Sequence, residues 1–216
     1  MSFLDRGVMD YLTELAAAQH RDAVLDDMEA RAREHGFPIV GRAVGRALEM
    51  LARSIRAERV FELGSGYGYS AYWFARAVGE DGEVVCTDGS ADNAILAEDY
   101  LRKAQVWDRI TFHTSDALTT LAATDGQFDI VYNDVDKDGY PDCWRAACHR
   151  VRVGGYYLCD NVLWSGHVVT GTERGDVPGG WTTAIQDHNR MVTNDPRYVS
   201  SILPIRDGVL AALRVA

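Results

Sequence analysis

The sequence predicts an α/β protein: a mainly parallel seven-stranded sheet with helices on both faces, a closing C-terminal antiparallel hairpin, and extra helices at the N-terminus. Three observations predict it. From residue 59 onward, short runs rich in β-branched and aromatic residues alternate with helical segments of ten or more residues, which is the pattern of βαβ units. The first 57 residues instead repeat apolar side chains at helical steps. The last third carries two strand-like runs split by a short turn, which suits an antiparallel pair.

Taken in order, Val40, Val44, Leu48 and Leu51 fall on one face of a helix within residues 1–57. The strand runs are 59–63 (containing VFEL), EVVCTD (83–88), RITFH (109–113), FDIVY (128–132) and YYLCD (156–160). Helical patterns occupy 69–78, 91–104 and 140–151 between them, and 181–192 after them. YVSSILP and GVLAALRV, divided by IRDG, form the hairpin. No repeat, low-complexity tract or linker interrupts the chain, so residues 1–216 read as one domain: helices over 1–57 covering a site on a core over 58–216.

With 216 residues, 47% hydrophobic and 25% charged, the chain has enough apolar material for a full core. A net charge of -10, from 22 basic and 32 acidic residues, argues against nucleic acid as a partner, because phosphate binding requires clustered cations. No stretch approaches the roughly 18 apolar residues that span a bilayer, so no membrane partner is expected. The opening MSFLDRGVMDYLTELAAAQHRD lacks the basic-then-apolar layout of a secretion signal. Cys86, Cys143, Cys148 and Cys159 show no CxxC or zinc spacing and read as reduced core residues, so the expected location is cytoplasmic.

Ligands of open α/β sheets bind beyond the carboxyl ends of the strands. ELGSGYGYS follows the first strand, with Gly64, Gly66 and Gly68 at alternate positions; glycines there let the backbone turn and approach a ligand, beside the free N–H groups of the next helix. This loop is neither GxGxxG nor a phosphate loop, since Tyr69 occupies the third-glycine position and no Gly-Lys-Ser/Thr follows. Asp88 ends the second strand, where an acid can accept hydrogen bonds from ribose hydroxyls. Ser115 and Asp116 after the third strand fit both a helix N-cap and a contact to an adenine edge. FDIVYNDVDKDGY then crowds Asp134, Asp136, Lys137 and Asp138 at the end of a strand, and DNVLWSGHV follows the next one with Asp160, Asn161 and Trp164. Trp144 reads as core and His167 as an ordinary loop histidine, while Trp181 suits either packing or the mouth of a site.

These motifs, together with LPIRDG near the C-terminus, resemble the class I S-adenosylmethionine-dependent O-methyltransferases with their Rossmann-like fold, in particular the cation-dependent caffeoyl-CoA and catechol O-methyltransferase family. The resemblance runs from about residue 38 onward. It implies that Glu62 and Ser70 hold the methionine end of the cofactor, with Gly64 and Gly66 against its backbone and Val40 bordering it. It further implies that Asp88 and Gly89 take the ribose and that Asp116 and Ala117 border the adenine. Asp134 is implied both beside the cofactor and, with Asp160 and Asn161, as a ligand of Mg²⁺ (or Ca²⁺ or Mn²⁺). Lys137 matches the general base, acting with Asp134 and touching substrate, Asp136 the acid near the cofactor's ammonium, and Trp164 a residue at the substrate mouth. A homodimer is implied as well. Gly139 stands where relatives have Asn, and FPIVGRAVGRALEML replaces a more polar segment, so the acceptor is not named by the motifs.

The chemistry accords with such residues. Methyl transfer to a phenolic oxygen needs in-line alignment and a developing oxyanion, and a phenol with a pKa of about 10 is mostly neutral at pH 7. Two carboxylates and an amide oxygen suit a hard divalent ion, which leaves positions for vicinal hydroxyls of a catechol-like small molecule. A different natural-product hydroxyl is an alternative acceptor. An oxidoreductase using a nucleotide cofactor and a non-catalytic binding module are the readings from other classes.

Overall fold

The fold was obtained as a computed structural model that describes residues 6–216. Residues 1–5, where the N-terminal segment read as lacking a secretion signal begins, lie outside the described residues. Three helices come first: α1 (Arg6–Gln19), α2 (Ala23–His35) and α3 (Gly41–Ser54). Strands β1 (Arg59–Leu63), β2 (Glu83–Asp88), β3 (Ile110–Thr114), β4 (Phe128–Asn133) and β5 (Val151–Cys159) then alternate with α4 (Tyr69–Ala77), α5 (Ala91–Lys103), α6 (Ala117–Ala123) and α7 (Tyr140–Ala147). The chain closes with α8 (His167–Thr170), α9 (Trp181–Thr193), β6 (Tyr198–Leu203) and β7 (Val209–Arg214).

The seven strands lie in the order β3-β2-β1-β4-β5-β7-β6. The first five are parallel, while β7 runs antiparallel to both β5 and β6. Successive side chains of a strand point to opposite faces, and both faces here are covered. Val60, Val84, Ile130 and Leu158 join the layer beneath α3, α4 and α5, whereas Phe61, Val85, Val131 and Tyr157 join the layer beneath α6, α7 and α9. That is why these strands read as continuous apolar runs. Val40, Val44 and Leu48 are buried as their spacing predicts, and Gly45 lets α3 approach α4 closely: a Cβ there would sit 2.1 Å from Nε1 of Trp73.

Two boundaries differ from the sequence reading. The helix predicted to run to 151 ends at Ala147, and β5 begins at Val151 rather than at Tyr156. The reason is Arg150, whose guanidinium bonds the carbonyls of Leu121 and Gly126 while its own carbonyl accepts from Phe128 N at 2.7 Å, drawing this segment into the sheet. The added length is absorbed by a register shift against β4, where Gly155 is needed because a Cβ would meet Asp129 O at 2.5 Å. The capping signal at Ser115 and Asp116 opens a short helix, α6, with Asp116 as its N-cap. All four cysteines are free and buried, and Trp144 packs in the core against Tyr157 and Tyr198. Among the described residues no helix is long and apolar enough to cross a membrane.

Candidate active site

The strand order reverses between β1 and β4, and ligands of such sheets bind outside the carboxyl ends at that switch point. A cavity of about 990 Å³ opens there. Gly64, at φ +84, lets the loop after β1 lie against the loop after β4: a Cβ would come within 2.8 Å of Asp134 O. Gly68 caps α4 in the left-handed conformation, so the first turn of α4, with Ser70, faces the cavity.

The predicted residues converge on this cavity. Val40, Gly64, Gly66 and Ser70 line one wall, and Asp88, Gly89, Asp116 and Ala117 line the end beyond β2 and β3. Asp134, Asp136, Lys137, Asp160, Asn161 and Trp164 line the opposite end. Glu62 is the exception: it is fully buried beneath the glycine loop and is not part of the lining. Burial lifts its carboxyl to about 7, and its Oε1 has no hydrogen-bond partner.

Local hydrogen bonds fix the acids at the β2 and β3 end. Asp88 Oδ1 accepts from Ser90 N at 2.8 Å and from Asn93 Nδ2 at 3.0 Å, which orients the carboxylate with its second oxygen uncommitted. Asp116 is the N-cap of α6, accepting from Thr119 N at 2.8 Å and from the Thr119 hydroxyl at 2.7 Å; those bonds lower its pKa. The capping reading of DALTT is therefore realised at the rim of the cavity.

The other end concentrates negative charge under partial burial. Lys137 donates to Asp134 Oδ1 at 3.1 Å and to Val135 O at 3.2 Å, with its ammonium 4.9 Å from the centre of the Tyr140 ring. Asp160 is 3% exposed and its Oδ1 has no hydrogen-bond partner, while Oδ2 accepts from Asn161 Nδ2 at 3.3 Å. Burial raises the pKa of both Asp134 and Asp160, and the charge of Asp134 raises Asp160 further against the opposing pull of Lys137. A buried carboxylate oxygen without a donor, facing a second carboxylate, is costly unless a cation satisfies it. Two carboxylates and the Asn161 amide form a hard donor set that fits a divalent ion. Among the described residues no three His, Cys, Asp or Glu side chains cluster as a metal site.

The corner is strained and held. Asn161, Trp164, Ser165 and Arg206 all have positive φ between 49 and 55, at about 1 kcal/mol or more each for residues with a Cβ. The loop after β5 is pinned to the β6–β7 turn: Leu163 N donates to Asp207 O at 2.9 Å, Val162 N to Gly208 O at 3.1 Å, and Ser165 N to Asp207 Oδ1 at 2.5 Å. Beneath it runs a buried polar chain. Asn133 Nδ2 donates to Tyr157 Oη at 3.0 Å, the phenol donates to His188 Nε2 at 2.9 Å, and Nδ1 of His188 donates to Asn189 Oδ1 at 3.1 Å. Asn189 in turn bonds Val162 O, and Tyr140 Oη bonds Asp160 O at 2.8 Å, so the strand ends carrying Asp134 and Asp160 share one support.

Trp164 stacks near Trp181, ring centres 5.8 Å apart, under the Arg174 guanidinium at 4.6 Å. Trp181 therefore lies at the mouth, whereas His167 turns away to bond Thr172. Sequence reasoning gave no role to Phe37, Ile39, Ser65, Arg174 or Arg206, all of which line the cavity. Arg206 lay in LPIRDG, Ser65 in the glycine loop, and Phe37 and Ile39 beside Val40, whereas Arg174 falls in no motif and meets the cavity only through the fold.

This arrangement defines a doubly wound α/β protein with a cavity across its switch point, between Asp88 and Asp116 at one end and an acidic, lysine-bearing corner at the other. The family described as O-methyltransferase matches residues 14–215. The chain is 31% identical over 182 residues to caffeoyl-CoA O-methyltransferase 1 of Eucalyptus globulus, covering 80% of this chain and 73% of that protein. It is also 31% identical over 191 residues to tricin synthase 1 of Oryza sativa subsp. japonica, covering 83% and 76%. Among solved structures, a methyltransferase from Geobacter sulfurreducens matches with a TM-score of 0.83 and 26% identity over the whole of both chains. The protein belongs to the O-methyltransferase family, which sets aside the oxidoreductase reading.

Proposed function

We propose that the protein is an S-adenosylmethionine-dependent, divalent-metal-dependent O-methyltransferase that acts on a catechol-like small molecule. The observation that carries the reading is the buried Asp160 Oδ1 without a donor, beside Asp134 and Lys137, in one cavity with Asp88. Asp88 and Gly89 would hold the ribose, Asp116 and Ala117 the adenine, and Asp136 the ammonium of the methyl donor. Val40, Gly64, Gly66 and Ser70 would line the methionine arm, with Glu62 supporting the loop from beneath. Asp134, Asp160 and Asn161 would hold Mg²⁺, Ca²⁺ or Mn²⁺. When bound, that ion supplies Lewis-acid stabilisation of a phenolate.

Lys137, once its own proton has passed to solvent, would act as the base that takes the acceptor's hydroxyl proton; S-adenosylmethionine, when bound, would supply the methyl group and leave as the neutral thioether. Asp134 orients Lys137 through the 3.1 Å hydrogen bond, and Trp164 with Trp181 would clamp the aromatic ring. A cytoplasmic location accords with four free, buried cysteines, and the homodimer expected from the resemblance is checked by light scattering. The test is methylation of a panel of catechols with S-adenosylmethionine, with and without chelator. Turnover that stops on chelation and returns with Mg²⁺ supports the reading; equal turnover in both removes the metal, and cofactor binding with no turnover on any acceptor marks a non-catalytic module.

A further inference from the structure

The cavity carries one cation that the proposed chemistry leaves unused. Among the described lining residues three are cationic: Lys137, Arg174 and Arg206. Lys137 is bonded to Asp134, and Arg174 to Asp176. Arg206 forms no ion pair among the described residues, although its charge acts on Asp134, Asp160 and Asp207, in a chain whose net charge is -10. Although the residue is exposed, its turn and one guanidinium nitrogen are anchored. Arg206 keeps a left-handed backbone at φ 51, the following Asp207 and Gly208 are bonded to the Leu163 and Val162 amides, and Nη1 donates to Ile39 O at 2.5 Å. The guanidinium thus bridges the turn beside Asp160 and Asn161 to residues 37–39, which form the opposite lip.

Arg206 also borders a second cavity of about 420 Å³ on the far side of Phe37, Pro38 and Ile39. Arg42 in that cavity is committed to Asp26 and Glu29, whereas Arg33, like Arg206, forms no ion pair among the described residues. Asp88 and Asp116 lie at the far end and Asp207 accepts from Ser165 N, while Asp134 and Asp160 feel the Arg206 charge without forming an ion pair with it. A molecule whose hydroxyls reach Lys137 would therefore leave the cavity between Trp164 and Ile39 and pass the free nitrogens of Arg206.

We infer that Arg206 is a specificity-determining residue that selects a methyl acceptor bearing a carboxylate at the end remote from its hydroxyls. The inference rests on the function proposed above. A carboxylate satisfies the planar fork of an arginine with two hydrogen bonds, while a neutral group of similar shape leaves it unchanged. Charge-assisted bonds of this kind correspond to about tenfold or more in affinity.

The experiment compares 3,4-dihydroxycinnamic acid with its methyl ester as acceptors at pH 7.5. The wild-type enzyme is expected to favour the acid by about tenfold in kcat/KM, mainly through KM. In Arg206→Met the acid-to-ester ratio should fall to near one, and in Arg206→Lys part of it should remain. A ratio within one protein is insensitive to loss of folded material, so a structural role alone would leave it unmoved. Equal use of acid and ester by the wild type, or a preference that survives in Arg206→Met, overturns the inference. Turnover of neither compound, with S-adenosylmethionine binding verified by calorimetry, overturns the proposed function and this inference with it, and is readily told apart from both compounds reacting alike.

Discussion

Lowering the pH should weaken the support beneath the site through one residue, His188. Its imidazole is fully buried, wedged between Tyr140 and Tyr157, and burial depresses its pKa from 6.5 to about 4. A base whose folded pKa is depressed binds fewer protons in the folded state than in the unfolded one, so stability rises with pH across the interval between the two values. Near pH 7 both states are essentially neutral and the contribution is only about 0.2 kcal/mol. At pH 5 the unfolded imidazole is almost fully protonated and the folded one is not, which costs about 2 kcal/mol; the full shift of 2.5 units corresponds to about 3.4 kcal/mol below pH 4. In His188→Leu the Tyr157 hydroxyl loses its acceptor, a cost of about 1–3 kcal/mol at pH 7, but the titration disappears. Urea unfolding of both proteins in chelator at pH 7, 6 and 5 should therefore show the wild-type advantage shrinking by about 2 kcal/mol. All other titrating groups are common to the two chains and cancel in the difference. A stability gap that stays constant from pH 7 to 5 would refute the reasoning.

Lys137→Met should lower kcat by about 100-fold or more while calorimetric affinity for S-adenosylmethionine is nearly kept; unchanged kcat at neutral pH removes its role as base. Asp160→Asn removes a buried charge that faces Asp134 and has one oxygen without a donor, so in chelator at pH 8 the variant should melt at a higher temperature than the wild type, by roughly 2–4 °C per kcal/mol relieved, and Mg²⁺ should no longer raise its midpoint. A variant that melts lower in chelator would show that the carboxylate is already satisfied. Gly45→Ala drives a Cβ into Trp73 and should cost about 1–3 kcal/mol of overpacking despite alanine's better helix propensity; a midpoint at or above wild type would mean that α3 can back away.

Why so much of the site was legible in the sequence follows from the sheet. In parallel β/α folds the residues just after each strand meet at one edge, so Asp88, Asp116, Asp134 and Asp160 could be grouped from their places after four strand-like runs. The same periodicity placed Val40, Val44 and Leu48 in the core and the glycine loop before α4. Lengths were less legible where side chains act at a distance: the start of β5 at Val151 depends on Arg150 reaching the carbonyls of Leu121 and Gly126, more than twenty residues away.

The sequence by itself determined the order of elements, the sheet's buried character and the set of chemical groups at its edge, because alternation, glycine placement and strand-terminal acids are local properties of the chain. Only the tertiary structure decided how those groups are satisfied. Asp88 and Asp116 are engaged by nearby backbone and side-chain donors, Asp134 takes Lys137, and Asp160 keeps an oxygen without a donor. It also decided that Glu62 lies under the cavity instead of in its wall, and that Arg206 spans from the β6–β7 turn to Ile39, 167 positions apart. The physical reason is that burial and pairing depend on which distant backbone segments pack together, and the energy of a charged group is set by that environment more than by its neighbours in sequence.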